Sequence, residues 1–336
     1  MMNTFLEDIL AQPAALRLVL ASMLNENRAA IDRAAELIGK ASRLVLTSMG
    51  SAYYSLAPMA YALSQLHPNV HLVETGEQMS LSFFPGTLYV IMSRSGESKE
   101  IADYAGRLRR RGESLLAITM TPGSTLAKNA SLLVHDPAPC DGFICTKAYT
   151  SLALIGMLIA SRLENNLDQR LVAALGRAFD WMEGHKHVML EKMQGIGWLG
   201  QSLTFLSRRA GMSLAQSGAL WLEEAARRRA AYSGIDFFLH GPVEQVDENF
   251  RGVWIDLQPD DLSRAMIQEV AGKSESLISV SPEAEGAAGF NIPTFDLPEV
   301  YRILPVAMPV QMIAYQSAAN LGLQAGDMRY LSWVVK

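Results

Sequence analysis

This sequence has few cysteines, no long apolar run and no large excess of either charge. Two of its 336 residues are cysteines, Cys140 and Cys145, and they stand too close together to link separate parts of the chain. They also lack the spaced partners that a zinc site needs. This scarcity argues against a disulfide-stapled secreted fold and favours a reducing, cytoplasmic setting.

No segment is long and apolar enough to predict a membrane span. The most apolar stretch, SLALIGMLIA at 151–160, has ten residues, half of the roughly 20 that a spanning helix needs, and predicts a buried helix. The first residues, MMNTFLEDILAQP, include Glu7 and Asp8 and show no basic segment before an apolar one. We therefore expect neither a signal peptide nor membrane association.

Charge is low and nearly balanced. The chain has 29 Lys and Arg against 34 Asp and Glu, which gives a net charge of -5. This balance gives no basic surface for nucleic acid, so we expect no nucleic-acid partner, and an acidic small molecule would need a local site. A length of 336 residues with 49% hydrophobic residues is typical of a globular chain with two medium domains.

Strand and helix patterns alternate from residue 43 onward. Short β-branched runs at 43–48, 70–75, 87–93, 114–120 and 131–137 are separated by helical patterns, and the series restarts near residue 200 with runs at 202–209, 252–258, 276–282 and 292–298. This alternation predicts parallel sheets covered on both faces. We therefore predict an α/β fold of two doubly wound units of similar topology. The predicted divisions are an N-terminal helical segment at 1–40, a first domain at 41–180 and a second at 195–336.

The stretch VIMSRSGESKEI at 90–101 joins a predicted strand to a predicted helix. Ser93, Ser95 and Ser98 place three hydroxyls beside Gly96, whose missing side chain lets backbone N–H groups approach a ligand. A helix N-terminus attracts anions, and Arg94 adds a positive charge. The alternative is that Ser95 or Ser98 only caps the helix.

Two further stretches have related chemistry. LVLTSMGSAYYS at 44–55 supplies Ser48, Gly50 and Ser51 where another predicted strand ends. Because ligands of open parallel sheets bind beyond the carboxyl ends of the strands, these two turns together predict an anion site. CTKAYT at 145–150 opens a long predicted helix, and its Thr146 and Lys147 either close the same site or form a plain helix start.

Candidate acid–base residues occur in GALWLEEAARRRAAYSGIDFFLHGP at 218–242. Glu224 borders the apolar face of a predicted helix, so we expect it to be partly buried while Glu223 faces elsewhere. Burial raises the pKa of a carboxyl group, which suits a base that collects and returns a proton. A surface pair with Arg227 or Arg228 is the alternative.

His240 follows an apolar run and precedes Gly241 and Pro242. Imidazole is the side chain that titrates near neutral pH without help, which suits acid–base chemistry. A core or capping histidine is the alternative, and the residues alone leave both open.

Taken together, SRSGES, CTKAYT and ALWLEEAAR followed by FFLHGP resemble the double sugar-isomerase (SIS) domain proteins over nearly the whole chain. The resemblance implies that the loop at 93–98 holds the phosphate of a sugar 6-phosphate, with arginine at a position where glutamine is common. The residues implied in phosphate binding are Ser51, Ser93, Arg94, Ser95, Ser98 and Thr146.

The same resemblance implies roles for the two acid–base candidates. Glu224 would shuttle a proton between C1 and C2 of the sugar, and His240 would open the sugar ring from the neighbouring subunit. A homodimer with an active site completed across the interface follows from this, and the chemistry needs neither a cofactor nor a metal.

Three positions depart from the family pattern. Trp221 replaces a lysine one helical turn before the glutamate, and Ala52 stands where a phosphate-binding serine is frequent. Trp333 takes the place of the tail lysine that opens the ring in the synthases, with Lys336 three residues further on. The resemblance to the synthases does not extend to a glutaminase domain with an N-terminal cysteine nucleophile, so we do not expect glutamine-dependent synthesis. The resemblance thus implies an enzyme for an amino or aminoacyl sugar 6-phosphate, either a deglycase, a deaminase or an aldose-ketose isomerase. A non-catalytic sugar-phosphate sensor is the rival hypothesis.

Overall fold

Helices and strands alternate along most of the first half of the chain. A computed structural model describes residues 4–274 and 276–335. The elements up to residue 163 are α1 (Phe5–Leu10), α2 (Gln12–Leu24), α3 (Arg28–Lys40), β1 (Arg43–Ser48), α4 (Gly50–Ser64), β2 (Val70–Glu74), α5 (Thr75–Gln78), β3 (Thr87–Ser93), α6 (Lys99–Arg111), β4 (Ser114–Thr119), α7 (Thr125–Asn129), β5 (Leu132–His135) and α8 (Lys147–Leu163).

The second half repeats this order after one long helix. Its elements are α9 (Gln169–Gln194), β6 (Leu203–Ser207), α10 (Met212–Ala226), β7 (Ala230–Gly234), α11 (Ile235–Phe238), β8 (Gly252–Ile255), α12 (Asp261–Ala271), β9 (Leu277–Ser281), β10 (Gly289–Asn291) and α13 (Ile303–Asn320). Short 3-10 turns lie at Arg209–Gly211, Pro242–Gln245 and Glu299–Arg302.

The strands form two five-stranded parallel sheets of the same topology. The first has the order β2-β1-β3-β4-β5, and the second has the order β10-β9-β8-β6-β7. When the second is taken from its opposite edge, it becomes β7-β6-β8-β9-β10, which is the first order shifted by five strands. The structure therefore confirms the predicted fold of two doubly wound α/β units.

Packing divides the chain into two compact units whose boundaries cross the sequence order. The first-sheet unit contains Ala14–Ala173 together with residues 328–335, and the second-sheet unit contains Ala174–Asp327 together with residues 4–13. The predicted divisions at 40, 180 and 195 followed the sequence alone. In the structure, each unit also contains one end of the chain that lies in the other half of the sequence, and the predicted divisions stay predictions.

Strand β3 shows why the first sheet forms. All seven of its residues, TLYVIMS, are buried, as expected of a central parallel strand covered on both faces. On one face, Tyr89 and Ile91 pack against Tyr104 and Leu108 of α6. On the other face α8 passes so close that a Cβ at Gly156 would lie 2.7 Å from Cε of Met92.

Two predicted strands in the second half differ from the structure. β7 was missed because AAYSG has no β-branched residue and forms an edge strand that is only partly buried. The run IPTFDLP at 292–298 was expected to be a strand, but the strand is β10, just before it. Pro293 and Pro298 cannot donate to a ladder, and Phe295 and Asp296 both have left-handed backbones, with φ of 57° and 58°.

In the described residues, no helix is both long and apolar enough to cross a membrane. The apolar stretch 151–160 lies in α8, where it is buried in the first-sheet unit as predicted.

Candidate active site

The carboxyl ends of β1 and β3 lie side by side at one edge of the first sheet. The strands pair in parallel with Thr47 opposite Ile91, and the hydroxyl of Ser48 donates to the carbonyl oxygen of Met92 at 2.5 Å. Helix α4 begins two residues after β1, and α6 begins six residues after β3. Two helix N-termini therefore start from the same edge, where ligands of such sheets bind.

The loop at 93–98 has the compact turn that the sequence predicts around Gly96. This glycine has a φ of 64°, and a Cβ on it would lie 2.2 Å from Oγ of Ser124. Oγ of Ser93 accepts from the amide of Gly96 at 3.0 Å, and Oγ of Ser95 accepts from the amide of Glu97 at 3.2 Å. Each hydroxyl acts as an acceptor within the loop and keeps its own proton for donation.

The starts of two helices and one buried hydroxyl group provide hydrogen-bond donors at this edge of the sheet. Ser98 is the N-cap residue of α6, yet its side chain makes no capping hydrogen bond within the described residues, so the capping alternative fails for Ser98. The N-cap of α4, Met49, likewise gives no side-chain cap. Oγ of Ser51, in the first turn of α4, is buried and has no hydrogen-bond partner in the part of the chain that the structure describes. The edge thus offers unused donors near two positive helix ends.

The matching edge of the second sheet is closed by the chain itself. Asp260 caps α12 through a capping box with Ser263 and forms ion pairs with Arg208 and Arg209 at 2.9 and 2.8 Å. The amide of Ser263, followed by Arg208, lowers the pKa of Asp260 to about 2. A fixed carboxylate therefore occupies this helix start, whereas within the described residues no side chain caps the starts of α4 and α6.

The start of α8 is also satisfied internally. The carboxylate of Asp141 accepts from the amides of Thr146, Lys147 and Ala148 at 2.8–3.0 Å. Nζ of Lys147 lies 3.5 Å from Asp141, and both side chains are buried. The hydroxyl of Thr146 donates to the carbonyl of Ile144 at 3.1 Å. Of the two alternatives for CTKAYT, the structure therefore contains the helix cap, while phosphate binding by Thr146 stays a prediction.

Arg94 has partners that could not be found from the sequence. Its Nη1 donates to the carbonyls of Gly142 and Phe143 at 3.0 and 3.1 Å. Its guanidinium carbon lies 4.7 Å from the centroid of the Trp333 ring, and Nε1 of Trp333 donates to Gly142 at 3.3 Å. Direct contact of Arg94 with a phosphate stays a prediction, and Lys336 lies outside the described residues.

Glu224 lies in the second-sheet unit, on α10. It is half-buried and Glu223 is exposed, as the helical pattern predicts. The alternative surface partners bond elsewhere: Arg227 pairs with Asp327, and Nε of Arg228 donates to the carbonyl of Gly200 at 2.8 Å. Glu224 is therefore placed as a partly buried carboxylate should be.

His240 also belongs to the second-sheet unit and lies two residues after the end of α11. Its side chain is exposed, its amide donates to the carbonyl of Phe237 at 3.0 Å, and the next residue, Gly241, has a φ of 155°. The core-histidine alternative is wrong, because the imidazole faces outward.

Metal ligation finds no support in the described part of the chain. No three His, Cys, Asp or Glu side chains within residues 4–274 and 276–335 are grouped so that they could hold an ion. Cys140 is exposed and Cys145 is half-buried, and both are thiols.

Among the buried carboxyl groups that sequence reasoning missed is Asp136, next to the end of β5. Its carboxylate accepts from the hydroxyl of Ser151 at 2.5 Å and from the amide of Ala138 at 2.9 Å. Burial raises the pKa of Asp136 to about 6 against the effect of these hydrogen bonds. The signal available in the sequence was an aspartate directly after an apolar strand.

Comparison with known proteins confirms the predicted resemblance. Residues 37–161 match the SIS domain family. The chain is 24% identical to a glutamine–fructose-6-phosphate aminotransferase (isomerizing) of Brucella melitensis over 97% of its own length, and it spans 57% of that protein. A protein of the same description from Corynebacterium glutamicum is 27% identical over 98% of the chain, which spans 58% of it.

Solved structures share the two-sheet fold. Glucosamine-6-phosphate deaminase from Thermotoga maritima is 17% identical with a TM-score of 0.79, and the match covers 99% of both chains. Tagatose-6-phosphate ketose/aldose isomerase from Escherichia coli is 20% identical with a TM-score of 0.79, covering 98% of this chain and 97% of the other. At these identities the likeness extends to the fold.

Proposed function

We propose that this chain, whose residues 37–161 match the SIS domain, is an enzyme of the phosphosugar isomerase type for an amino or aminoacyl sugar 6-phosphate. The observation that carries the proposal is the open edge of the first sheet. There Ser51 keeps a buried hydroxyl without a partner in the described residues, and the loop at 93–98 presents further donors between two helix starts.

The sugar phosphate would lie in this loop. Ser93, Ser95, Ser98 and Ser51 would donate hydroxyl protons to the phosphate oxygens, and the helix starts would stabilise its negative charge. Charge-assisted hydrogen bonds of this kind contribute roughly 1.5–3 kcal/mol each. Binding would therefore depend on the phosphate more than on the sugar.

Glu224 would be the base for the chemical step. Its carboxylate would take the proton from one of the two carbons C1 and C2, which leaves an enediol or enolamine, and return it to the other carbon. With an amine on C2 of the sugar, this step is the aldose-ketose change that precedes loss of ammonia. With an amino acid on C1, it leads to an imine that water hydrolyses.

His240 would open the sugar ring from the neighbouring subunit of a homodimer. Its exposure supports this role, since a side chain that acts in the active site of another subunit has to project from the surface of its own subunit. The low cysteine content supports a cytoplasmic location.

A sugar-phosphate sensor is the second candidate, and the tail favours it. Trp333 cannot act as an acid or base where the sequence resemblance implies a lysine. Turnover separates the two candidates, because a sensor binds the phosphosugar without changing it.

The test is a panel of fructose 6-phosphate, glucosamine 6-phosphate and 6-phosphorylated fructosamine-amino acids, with product analysis and calorimetry. We expect turnover of at least one, and no measurable binding of the unphosphorylated sugars. Ser95→Ala should weaken binding about 10-fold or more. Ser64→Ala, at the exposed far end of α4, is the matched control and should bind normally. Equal affinity for phosphorylated and unphosphorylated ligands would show that the loop is not a phosphate site.

A further inference from the structure

The C-terminal segment 328–335 belongs to the first-sheet unit and contacts both the loop at 93–98, called the phosphate-type loop below, and the first residue of α6. At one point, the ring of Trp333 lies under the guanidinium of Arg94, 4.7 Å from Cζ to the ring centroid. At the other, the carbonyl of Val335 accepts from the amide of Lys99 at 3.0 Å. The segment therefore contacts the chain just before and just after residues 95–98.

The cation of Arg94 is held from several directions. Nη1 donates to two carbonyls, those of Gly142 and Phe143, and Nη2 lies 3.5 Å from the carbonyl of Trp333. The backbone carbonyl of Arg94 accepts from the hydroxyls of Thr119 and Thr121 at 3.3 and 3.1 Å. Both ends of the residue are therefore fixed.

Trp333 contributes in two ways to this arrangement. The aromatic face attracts the guanidinium, and Nε1 donates to the same Gly142 carbonyl that accepts from Arg94. The indole thus fixes both the cation and one of its acceptors. An arginine without the ring would keep its carbonyl partners but could leave the position above the segment.

We propose that Trp333 is a positioning residue that preorganises the Arg94 cation beside the phosphate-type loop and thereby ties the C-terminal segment to anion binding. This inference rests on the proposed function only for the identity of the anion. A charge that is already fixed binds an anion more tightly than one that must be ordered on binding. By thermodynamic reciprocity, a bound anion should also hold the segment in place.

The first experiment needs no turnover. Trypsin cleavage after Arg329 reports opening of the segment, because a protease cuts the transiently opened state. We expect Trp333→Ala to speed this cleavage about 3- to 30-fold, the range of a cation–π contact, and inorganic phosphate to slow it in the wild type. Leu66→Ala, which removes an exposed apolar side chain of the same unit and leaves the cleavage site unchanged, is the control and should behave like the wild type.

The second experiment asks whether Trp333 acts through Arg94. Trp333→Ala should weaken binding of inorganic phosphate and raise KM for the phosphosugar by a similar factor, with kcat nearly unchanged. Trp333→Phe keeps the ring and should recover most of the loss. Arg94→Met and the double variant Arg94→Met/Trp333→Ala should be equally impaired, because the tryptophan has nothing to position once the guanidinium is gone.

Two outcomes would overturn the proposal: cleavage after Arg329 that is insensitive to Trp333→Ala, or losses in the double variant that equal the sum of the single ones. If the wild type turns over no phosphosugar while the effects of the two substitutions on the cleavage rate and on phosphate affinity are still non-additive, the proposed function is refuted. That result would support the positioning role of Trp333.

Discussion

Ser48 and Ser207 occupy equivalent positions at the ends of the first strand of each repeat, and each ties its strand to the next one in the sheet. The hydroxyl of Ser48 donates to the carbonyl of Met92 at 2.5 Å, and that of Ser207 donates to the carbonyl of Ile255 at 2.7 Å. The residues that follow these two carbonyls are Ser93 and Asp256. From an equivalent start, one loop thus begins with a hydroxyl and the other with a carboxyl.

This difference explains why we assign the anion site to a single edge. In the first repeat, Gly96 has a left-handed backbone, and the turn uses the amides of Gly96 and Glu97 internally while the hydroxyls of Ser93 and Ser95 keep their protons for donation. In the second repeat, Pro259 stands in the loop, Asp260 caps the helix, and burial raises the pKa of Asp256. The Asp260 carboxylate already occupies the helix start that an anion would need, so we propose the anion site at the edge of the first sheet.

The base assignment predicts the effect of Glu224→Gln. The substitution keeps the shape of the side chain and removes its ability to take a proton, so turnover should fall by about 100-fold or more while binding of the phosphosugar survives. Steady-state kinetics and calorimetry measure the two quantities. Glu223→Gln, on the exposed side of the same helix, is the matched control, and an equal loss in that variant would contradict the assignment.

The composite site predicts complementation between inactive chains. If His240 acts in the neighbouring subunit, a mixed dimer of Glu224→Gln and His240→Ala chains contains one intact site and one doubly altered site. We expect activity to reappear on mixing, towards a quarter of the wild-type level for random pairing of equal amounts. Mixed dimers verified by mass spectrometry that stay inactive would indicate that both residues act within one chain.

Helix packing predicts that Gly156→Ala destabilises the protein. The added methyl would lie 2.7 Å from Met92 and 3.0 Å from Met59, and overpacking of this kind costs about 1–3 kcal/mol. Gly184→Ala in α9 is the control, because nothing lies within 4 Å of its Cβ. In an exposed helix interior, that change should stabilise by up to about 1 kcal/mol. Urea unfolding compares the variants, and a stabilised Gly156→Ala would contradict the packing.

Asp136 predicts a pH dependence of stability. Its pKa is raised to about 6 by burial, so the folded state holds a proton that the unfolded state releases near pH 4. Stability from this group is therefore highest below pH 4 and falls as the pH rises towards and past 6. Asp136→Asn removes the effect, and its unfolding free energy relative to the wild type should increase by roughly 2–3 kcal/mol between pH 4 and 7.

Ser151→Ala provides the companion measurement for Asp136. The hydroxyl of Ser151 lowers the pKa of this carboxyl, so its removal should extend the loss of stability to higher pH. A difference between Asp136→Asn and the wild type that stays constant from pH 4 to 7 would mean that Asp136 does not change protonation on unfolding.

The sequence by itself determined those strands, turns and helix faces that a hydrophobic or turn pattern of a few residues predicts. The runs at 43–48 and 87–93 coincide with β1 and β3. Short runs of apolar and β-branched residues are typical of parallel strands that are buried on both faces. The turn at Gly96 was equally predictable, since glycine adopts the left-handed backbone that such a turn requires at little cost. The half-buried position of Glu224 followed from helical periodicity alone.

Contacts between distant residues were decided by the tertiary structure. Arg94 and Trp333 are separated by 239 positions, and no periodicity or motif connects them before the chain folds. The same holds for the closing of the second edge by Asp260, which depends on Arg208 and Arg209 meeting it across the sheet. The ends of the chain also crossed to opposite units, because a terminal segment packs wherever it finds a complementary surface, and sequence order places no restriction on where that surface lies.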